Sequence, residues 1–264
     1  MASADGTVVV TGGASGMGEA MVVRFASAGH RVVAADIDRQ RVEELAARVA
    51  GVVPVVADVS TPAGVDAIVE GAGDAVSVLC NNAGVHDSLK AADEVTLELW
   101  EKVFAINLTG PYMLCNRLIP IMIAGGGGSI INIASVAGIR GGRAGAAYTS
   151  SKYGLVGLSQ NIAWSYRTDG IRCNVICPGR ISTRIRDGAE FSAQGAGRLL
   201  PQRPSDDPVG EQEQGAALGA YFSADYYPVG EPEQVAALAA YLASDAASFI
   251  NGAVLTADGG LSAY

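Results

Sequence analysis

Charge, histidine and cysteine are all scarce in this chain, and each shortage removes a class of function. Charged residues make up 17% of the 264 residues and apolar residues 49%, so the expectation is that some apolar surface is hidden between subunits. The two histidines, His30 and His86, are far apart, and Cys80, Cys115, Cys173 and Cys177 contain no CxxC pair. That spacing points away from zinc, so no metal is expected, and four reduced thiols fit better than disulfides. Basic residues stop at Arg203, whereas nine acids follow it, so the formal charge of −9 resides wholly in the last part of the chain. A nucleic-acid footprint needs a basic patch, and a solvated acidic face is the reading here. No run of about 18 apolar residues occurs, and "MASADGTVVV" lacks a basic stretch ahead of an apolar one. The protein is expected to be soluble and cytoplasmic, with no membrane contact.

What is present is a repeated alternation of apolar strand and helix. "TVVVTGGASGMGEAMVVRFASAGHRVVAADID" reads as strand, glycine-rich turn, helix ending near Gly29, and a second strand ending at Asp36. The pattern continues with a helix from Arg39 to Ala50, the strand "VVPVVADV", a weak helix from Pro62 and the strand "AVSVLCNNAG". One long helix is expected over Leu97 to Ile123, then the strand "GGSIINIAS", a helix from Ala147 to Arg167 and the strand "IRCNVICPG". "EPEQVAALAAYLASD", with proline at a helix start, and the strand "GAVLTADGG" close the chain. Apolar strands without clean alternation, each followed by a helix, indicate a parallel sheet covered on both faces. The fold class is therefore α/β, a doubly wound parallel sheet of Rossmann type in a single domain over residues 1–264, with a substrate lid at about 184–227.

Ligands of such sheets bind at the carboxyl ends of the strands, where every distinctive polar cluster of this sequence falls. Thr11 to Gly18, between the first strand and first helix, offers backbone N–H groups and a helix dipole to a pyrophosphate. A lone glycine turn is weak, but here the strand, the helix and the acid of the second strand accompany it. Asp36 can accept hydrogen bonds from both adenosine ribose hydroxyls and repel a 2′-phosphate, which favours NAD over NADP, although Arg39 lies close by. Tyr148 and Lys152 in "AAYTSSKYG" are four positions apart, on one face of a helix, whereas Tyr153 points elsewhere. Such a pair is either a catalytic acid with its tuner or an ordinary tyrosine and surface lysine.

TGxxxGxG at 11–18, NNAG at 81–84, Asn107 in "FAINLTG", Ser135 in "INIAS", Tyr148 with Lys152, and PGxxxT at 178–183 stand in one order and at fitting separations. With these motifs the chain resembles the short-chain dehydrogenase/reductase family, in its roughly 250-residue form, everywhere except about Asp187 to Tyr227. The resemblance implies that Tyr148 is the general acid/base, that Lys152 tunes it and holds the nicotinamide ribose, and that Ser135 holds the substrate oxygen. It also implies that Asn107 steadies a water linking Lys152 to solvent. Cofactor contacts are implied for Gly12, Ser15, Gly16, Met17, Gly18, Asp36 and Ile37; for Asp58 and Val59 near the adenine; and for Asn82, Ala83 and Gly84 near a ribose. Pro178, Gly179, Ile181 and Thr183 complete the implied set around the nicotinamide. A free phenol titrates near pH 10, and a neighbouring positive charge lowers a pKa by about 1–3 units, which brings the chemistry into range.

The resulting expectation is an NAD-dependent oxidoreductase interconverting a secondary alcohol and a ketone. The alternatives are an NADPH-dependent carbonyl or 3-oxoacyl reductase, and a non-catalytic dinucleotide-binding regulator. Relatives pair the two long helices across subunits, so a homotetramer is expected. His86, Trp100 and Phe104 read as structural, and the arginines from Arg180 to Arg203 as a solvated loop. One feature lies outside the resemblance: "PVGEQEQGAALGAYFSAD" at 208–225 recurs as "PVGEPEQVAALAAYLASD" at 228–245, identical at 12 of 18 positions. The second copy should be the regular helix before the last strand, and the first an extra piece of the lid, weakened as a helix by Gly215 and Gly219.

Overall fold

A computed structural model describes residues 6–183 and 228–263. Seven strands form one parallel sheet in the order β3-β2-β1-β4-β5-β6-β9. They are β1 (Thr7–Thr11), β2 (Val32–Asp36), β3 (Val52–Val56), β4 (Val76–Asn81), β5 (Gly128–Ile133), β6 (Ile171–Pro178) and β9 (Val254–Ala257). The order reverses between β1 and β4, which creates a crevice at their carboxyl ends.

Both faces of the sheet are covered, which is why its strands read as unbroken apolar runs. Val8 and Val10 face one layer, where α1 (Gly16–Ser27), α2 (Arg39–Arg48) and α7 (Pro232–Ala243) bury Met21, Leu45 and Leu242. Val9 faces the other, with Ile68 of α3 (Pro62–Ala72), Leu114 and Leu118 of α5 (Gly110–Ala124) and Ile162 of α6 (Ala146–Ser165). The helix from Pro62 is firmer than its composition suggested: Thr61 caps it through the Gly64 N–H, and Pro62 supplies a preset first residue. The second copy of the repeat forms α7, as expected, and buries Val235, Ala236 and Ala239 in the first core layer.

The long helix expected over Leu97 to Ile123 is present as one helical run from Leu97 to Ala124, with a π-helical turn inside it. The run comprises α4 (Leu97–Phe104), the π-helical turn (Ala105–Thr109) and α5. Pro111, at the start of α5, fits this winding. It has no N–H to offer the carbonyl of Asn107, and its ring crowds that carbonyl in a regular α-helix. Widening the preceding turn relieves the clash, and the Gly110 N–H bonds the Ala105 carbonyl five residues back.

Outside the main sheet, β7 (Arg180–Ile181) pairs in parallel with β8 (Val229–Gly230), so the chain leaves after Thr183 and re-enters at Pro228 in close proximity. The expected lid and the first copy of the repeat, with Arg184, Arg186, Arg198 and Arg203, lie outside the described residues. No described helix is long and apolar enough to cross a membrane.

Candidate active site

The glycine turn and the NNAG segment are fastened to each other at the crevice. Thr11 Oγ1 accepts from the N–H groups of Asn82 (3.0 Å) and Ala83 (3.1 Å), while Asn82 Nδ2 donates to the carbonyls of Thr11 (2.9 Å) and Gly12 (3.2 Å). Gly12 and Gly16 have φ of +62° and +52°, the left-handed region that glycine enters without strain. A Cβ on Gly18 would overlap the Gly12 carbonyl oxygen, so α1 can start this close to the turn only with glycine there. Ser15 precedes α1 in extended backbone and its hydroxyl does not cap the helix, which leaves first-turn N–H groups to an anionic ligand. Met17 packs on the core beneath.

The neighbouring strand ends extend this site along the carboxyl edge of the sheet. Asp36 accepts from the N–H groups of Ala14 and Asp38, each at 3.0 Å, one on each carboxylate oxygen. Ile37 beside it is 70% exposed, an apolar surface available to a flat ring. Asp58 accepts from the Ser60 N–H (2.9 Å) and hydroxyl (2.6 Å), and Val59 is buried against Gly110. At the end of β6, Pro178 is buried, Gly179 lies against Asp258, Ile181 pairs with Gly230, and the Thr183 methyl would touch a Cβ on Gly16 at 3.0 Å. Gly84 lies beside the catalytic candidates: a Cβ there would be in van der Waals contact with Lys152 Nζ (3.5 Å) and Asn107 Oδ1 (3.4 Å). These features fit an extended dinucleotide, with its pyrophosphate at residues 12–18 and its nicotinamide end between Lys152 and Thr183.

The four residues assigned to catalysis come from the segment just after β5, the π turn and α6. Tyr148 and Lys152 are both buried, with Nζ 5.6 Å from the phenol ring centroid, whereas Tyr153 is exposed. Lys152 Nζ donates to the Ile133 carbonyl at 2.8 Å. Burial lowers its pKa from the ordinary 10.5 to about 8, opposed by the nearby Cys177. The Cys177 thiol is itself pushed up to about 11 by burial, against the Ser135 backbone N–H and Lys152, and so carries no compensating charge at neutral pH. Ser135 Oγ accepts from the Ala137 N–H at 3.1 Å and starts a short turn (Val136–Gly138) whose Ala137 packs with Tyr148. Asn107 is fully buried: its amide donates to the Val85 carbonyl (3.0 Å) and Ser151 Oγ (3.1 Å), and its Oδ1 accepts from the Val85 N–H (2.9 Å). Its side chain is thus a clamp between the segment after NNAG and α6, not a ready water ligand.

Several participants escaped the sequence reading. Asn132 bonds Asn81 of β4 (2.8 Å) and Ser159 of α6 (2.7 Å), which fixes how α6 is rotated over the sheet. Asp87, fully buried, accepts from the Tyr148 N–H at 2.9 Å, and the His86 ring stacks on the Tyr148 ring at 4.3 Å. The signal for Asp87 was a carboxylate placed three residues after an NNAG motif, with no nearby helix for it to cap.

The fold and this carboxyl edge together define a class, the oxidoreductases built on a dinucleotide-binding sheet. The chain belongs to the short-chain dehydrogenase/reductase family: the short chain dehydrogenase model matches residues 6–192, and the Enoyl-(Acyl carrier protein) reductase model matches residues 222–262. The chain is 39% identical to 3beta-hydroxysteroid dehydrogenase 2 of Eggerthella lenta, over 98% of this chain and 95% of that protein. It superposes with a TM-score of 0.81 and 28% identity on a 3-ketoacyl-(acyl-carrier-protein) reductase of Brucella melitensis complexed with NADH, covering 98% of this chain and all of that one. A structure described as an NAD(P)-dependent gluconate 5-dehydrogenase of Beutenbergia cavernae, with NADP at low occupancy, gives a TM-score of 0.78 and 32% identity over 98% and 97% of the two chains. The chain is accordingly an oxidoreductase of this family, whose cofactor is a nicotinamide dinucleotide.

Proposed function

We propose that the protein interconverts a secondary alcohol and a ketone with NAD as cofactor and Tyr148 as the proton carrier. The observation that carries this reading is the buried ammonium of Lys152 beside the Tyr148 ring, on one helical face and next to Gly84. When bound, the nicotinamide accepts the hydride in oxidation and supplies it in reduction. Lys152, charged below about pH 8, lowers the cost of phenolate at Tyr148, and Tyr148 then takes the hydroxyl proton of the alcohol or returns it to the ketone oxygen. Ser135 holds the same oxygen. Pro111 deprives the Asn107 carbonyl of the donor that an α-helix supplies, so this carbonyl, and not the amide, is our candidate for the water between Lys152 and solvent.

Asp36 supports NAD over NADP, because its carboxylate is fixed at the end of β2 by two backbone N–H groups. Nearby cations are engaged with acids: Arg39 with Glu43 (3.0 Å) and Arg41 with Asp38 (3.2 Å). The NADP-bound neighbour favours the second reading, an NADPH-dependent carbonyl or 3-oxoacyl reductase. Turnover with NAD and NADP at equal concentration separates the two. The steroid-dehydrogenase relative makes alicyclic secondary alcohols the first substrates to screen. Four buried, unpaired thiols suit a reducing cytoplasm.

The test is Tyr148→Phe, which keeps the ring and removes the transferable proton. Turnover should fall by about a thousandfold or more while the NADH dissociation constant stays within about twofold. Near-normal turnover in this variant rules out Tyr148 as the proton carrier.

A further inference from the structure

The loop from His86 to Lys90 grips the first turn of α6 from outside that helix. Asp87 Oδ2 accepts from the Tyr148 N–H at 2.9 Å, and the Lys90 carbonyl accepts from the Ala146 N–H at 2.9 Å. Gly145, which precedes α6, supplies no side chain to cap it, and a Cβ at this position would fall on the Asp87 carboxylate. The cap of the helix therefore comes from a residue 61 positions away. The same loop holds the phenol ring: His86 stacks on it with an interplanar angle of 24°, and Leu89 packs with Tyr148, Ala137 and Ala144. His86 Nδ1 lies 3.5 Å from Asp87 Oδ1, so the stacked ring and the capping carboxylate are neighbours, and they form an ion pair only when the imidazole is protonated. Ser88 and Leu89 both have positive φ, 56° and 61°, a conformation that non-glycine residues adopt only when their surroundings impose it.

We propose that Asp87 is a positioning residue for Tyr148: as a cap supplied from a distant loop, it fixes the first turn of α6 and, with His86, the direction of the phenol. The inference rests on Tyr148 as the proton carrier. Asp87 touches no reacting atom and acts through the tyrosine. Misplacing a catalytic group by about 1 Å costs up to about a hundredfold in rate, so the effect belongs in kcat.

The experiment compares Asp87→Ala, Asp87→Asn, Gly145→Ala and the double variant Asp87→Ala/Gly145→Ala with wild type and Tyr148→Phe. It reads amide hydrogen exchange at 146–149, NADH affinity, and steady-state kinetics with cyclohexanol and a 3β-hydroxysteroid as probe alcohols. Asp87→Ala is expected to speed exchange of the Tyr148 amide and lower kcat by about tenfold or more, with KM and NADH affinity within about twofold. Asp87→Asn keeps an oxygen acceptor for that N–H and should restore kcat to within about threefold of wild type. Gly145→Ala should reproduce the kcat loss by displacing the carboxylate, and the double variant should be no worse than Asp87→Ala.

Unchanged amide exchange in Asp87→Ala overturns the cap, and faster exchange with wild-type kcat reduces Asp87 to a structural part. Independent, multiplying losses in the double variant also overturn the proposal. If Asp87→Ala does not fold, Gly145→Ala against Asp87→Asn decides by the same criteria. Retained turnover in Tyr148→Phe removes the proton-carrier reading itself, whereas an inactive Tyr148→Phe beside a fully active Asp87→Ala removes only the role of Asp87.

Discussion

Lys152 shows most directly how the role proposed for a single residue is set against stability. Its native pKa of about 8 lies below the ordinary 10.5, so the unfolded chain binds the proton more tightly than the native one. Burial of the ammonium therefore costs stability below pH 8, and the cost declines as pH rises from about 8 towards 10.5. The full shift corresponds to about 3 kcal/mol, offset in part by the bond to the Ile133 carbonyl. Lys152→Met should accordingly be inactive yet melt higher than wild type at pH 7, with a gap that narrows as pH approaches 10. Thermal unfolding of the apo proteins across that range checks it, and a gap that widens with pH has the wrong sign for this account.

At the scale of elements, the π turn between α4 and α5 is what places Asn107. A regular α-helix would rotate every residue after this turn, whereas the π turn lets Asn107 face Val85 and Ser151 while α5 still packs Leu114 and Leu118 on the sheet. Pro111→Ala supplies the missing N–H and removes the ring clash, so an ordinary α-helical turn becomes available. The expected result is a melting temperature equal to or above that of wild type together with several-fold lower turnover, as Asn107 is drawn from its clamp. Calorimetry and steady-state rates on the same preparation test it. Unchanged turnover would mean that the clamp survives without the π turn.

For the whole molecule, the unsatisfied surface argues for assembly. Leu97, Tyr112 and Tyr153 are 71%, 53% and 45% exposed on α4, α5 and α6, the helices expected to pair across subunits. Trp164, Tyr241 and Phe249 are also exposed, and a monomer with few charges has little reason to present such aromatics to water. Light scattering at micromolar concentration should give a multiple of 26.9 kDa, four chains being the expected number. A monomeric mass would reject it.

The sequence by itself determined the strand and helix alternation, the position of the glycine turn, and the alignment of Tyr148 with Lys152, because all three follow from local spacing. A period of about 3.6 fixes which side chains share a helix face, and an apolar run with a glycine turn fixes where a strand gives way to a helix. The long helix from Leu97 was legible in its apolar pattern as well, whereas the π turn inside it, just before Pro111, was not. Only the tertiary structure decided the partners: Asp87 with the Tyr148 N–H, Asn132 with Asn81 and Ser159, and Asn107 with Val85. These bonds join residues between 22 and 61 positions apart, through groups that any buried segment must satisfy somewhere. A sequence shows that such a group exists, but which group answers it depends on where the sheet brings distant segments together. The burial that lowers the pKa of Lys152 has the same origin, since it depends on β5, β6 and α6 closing around one ammonium.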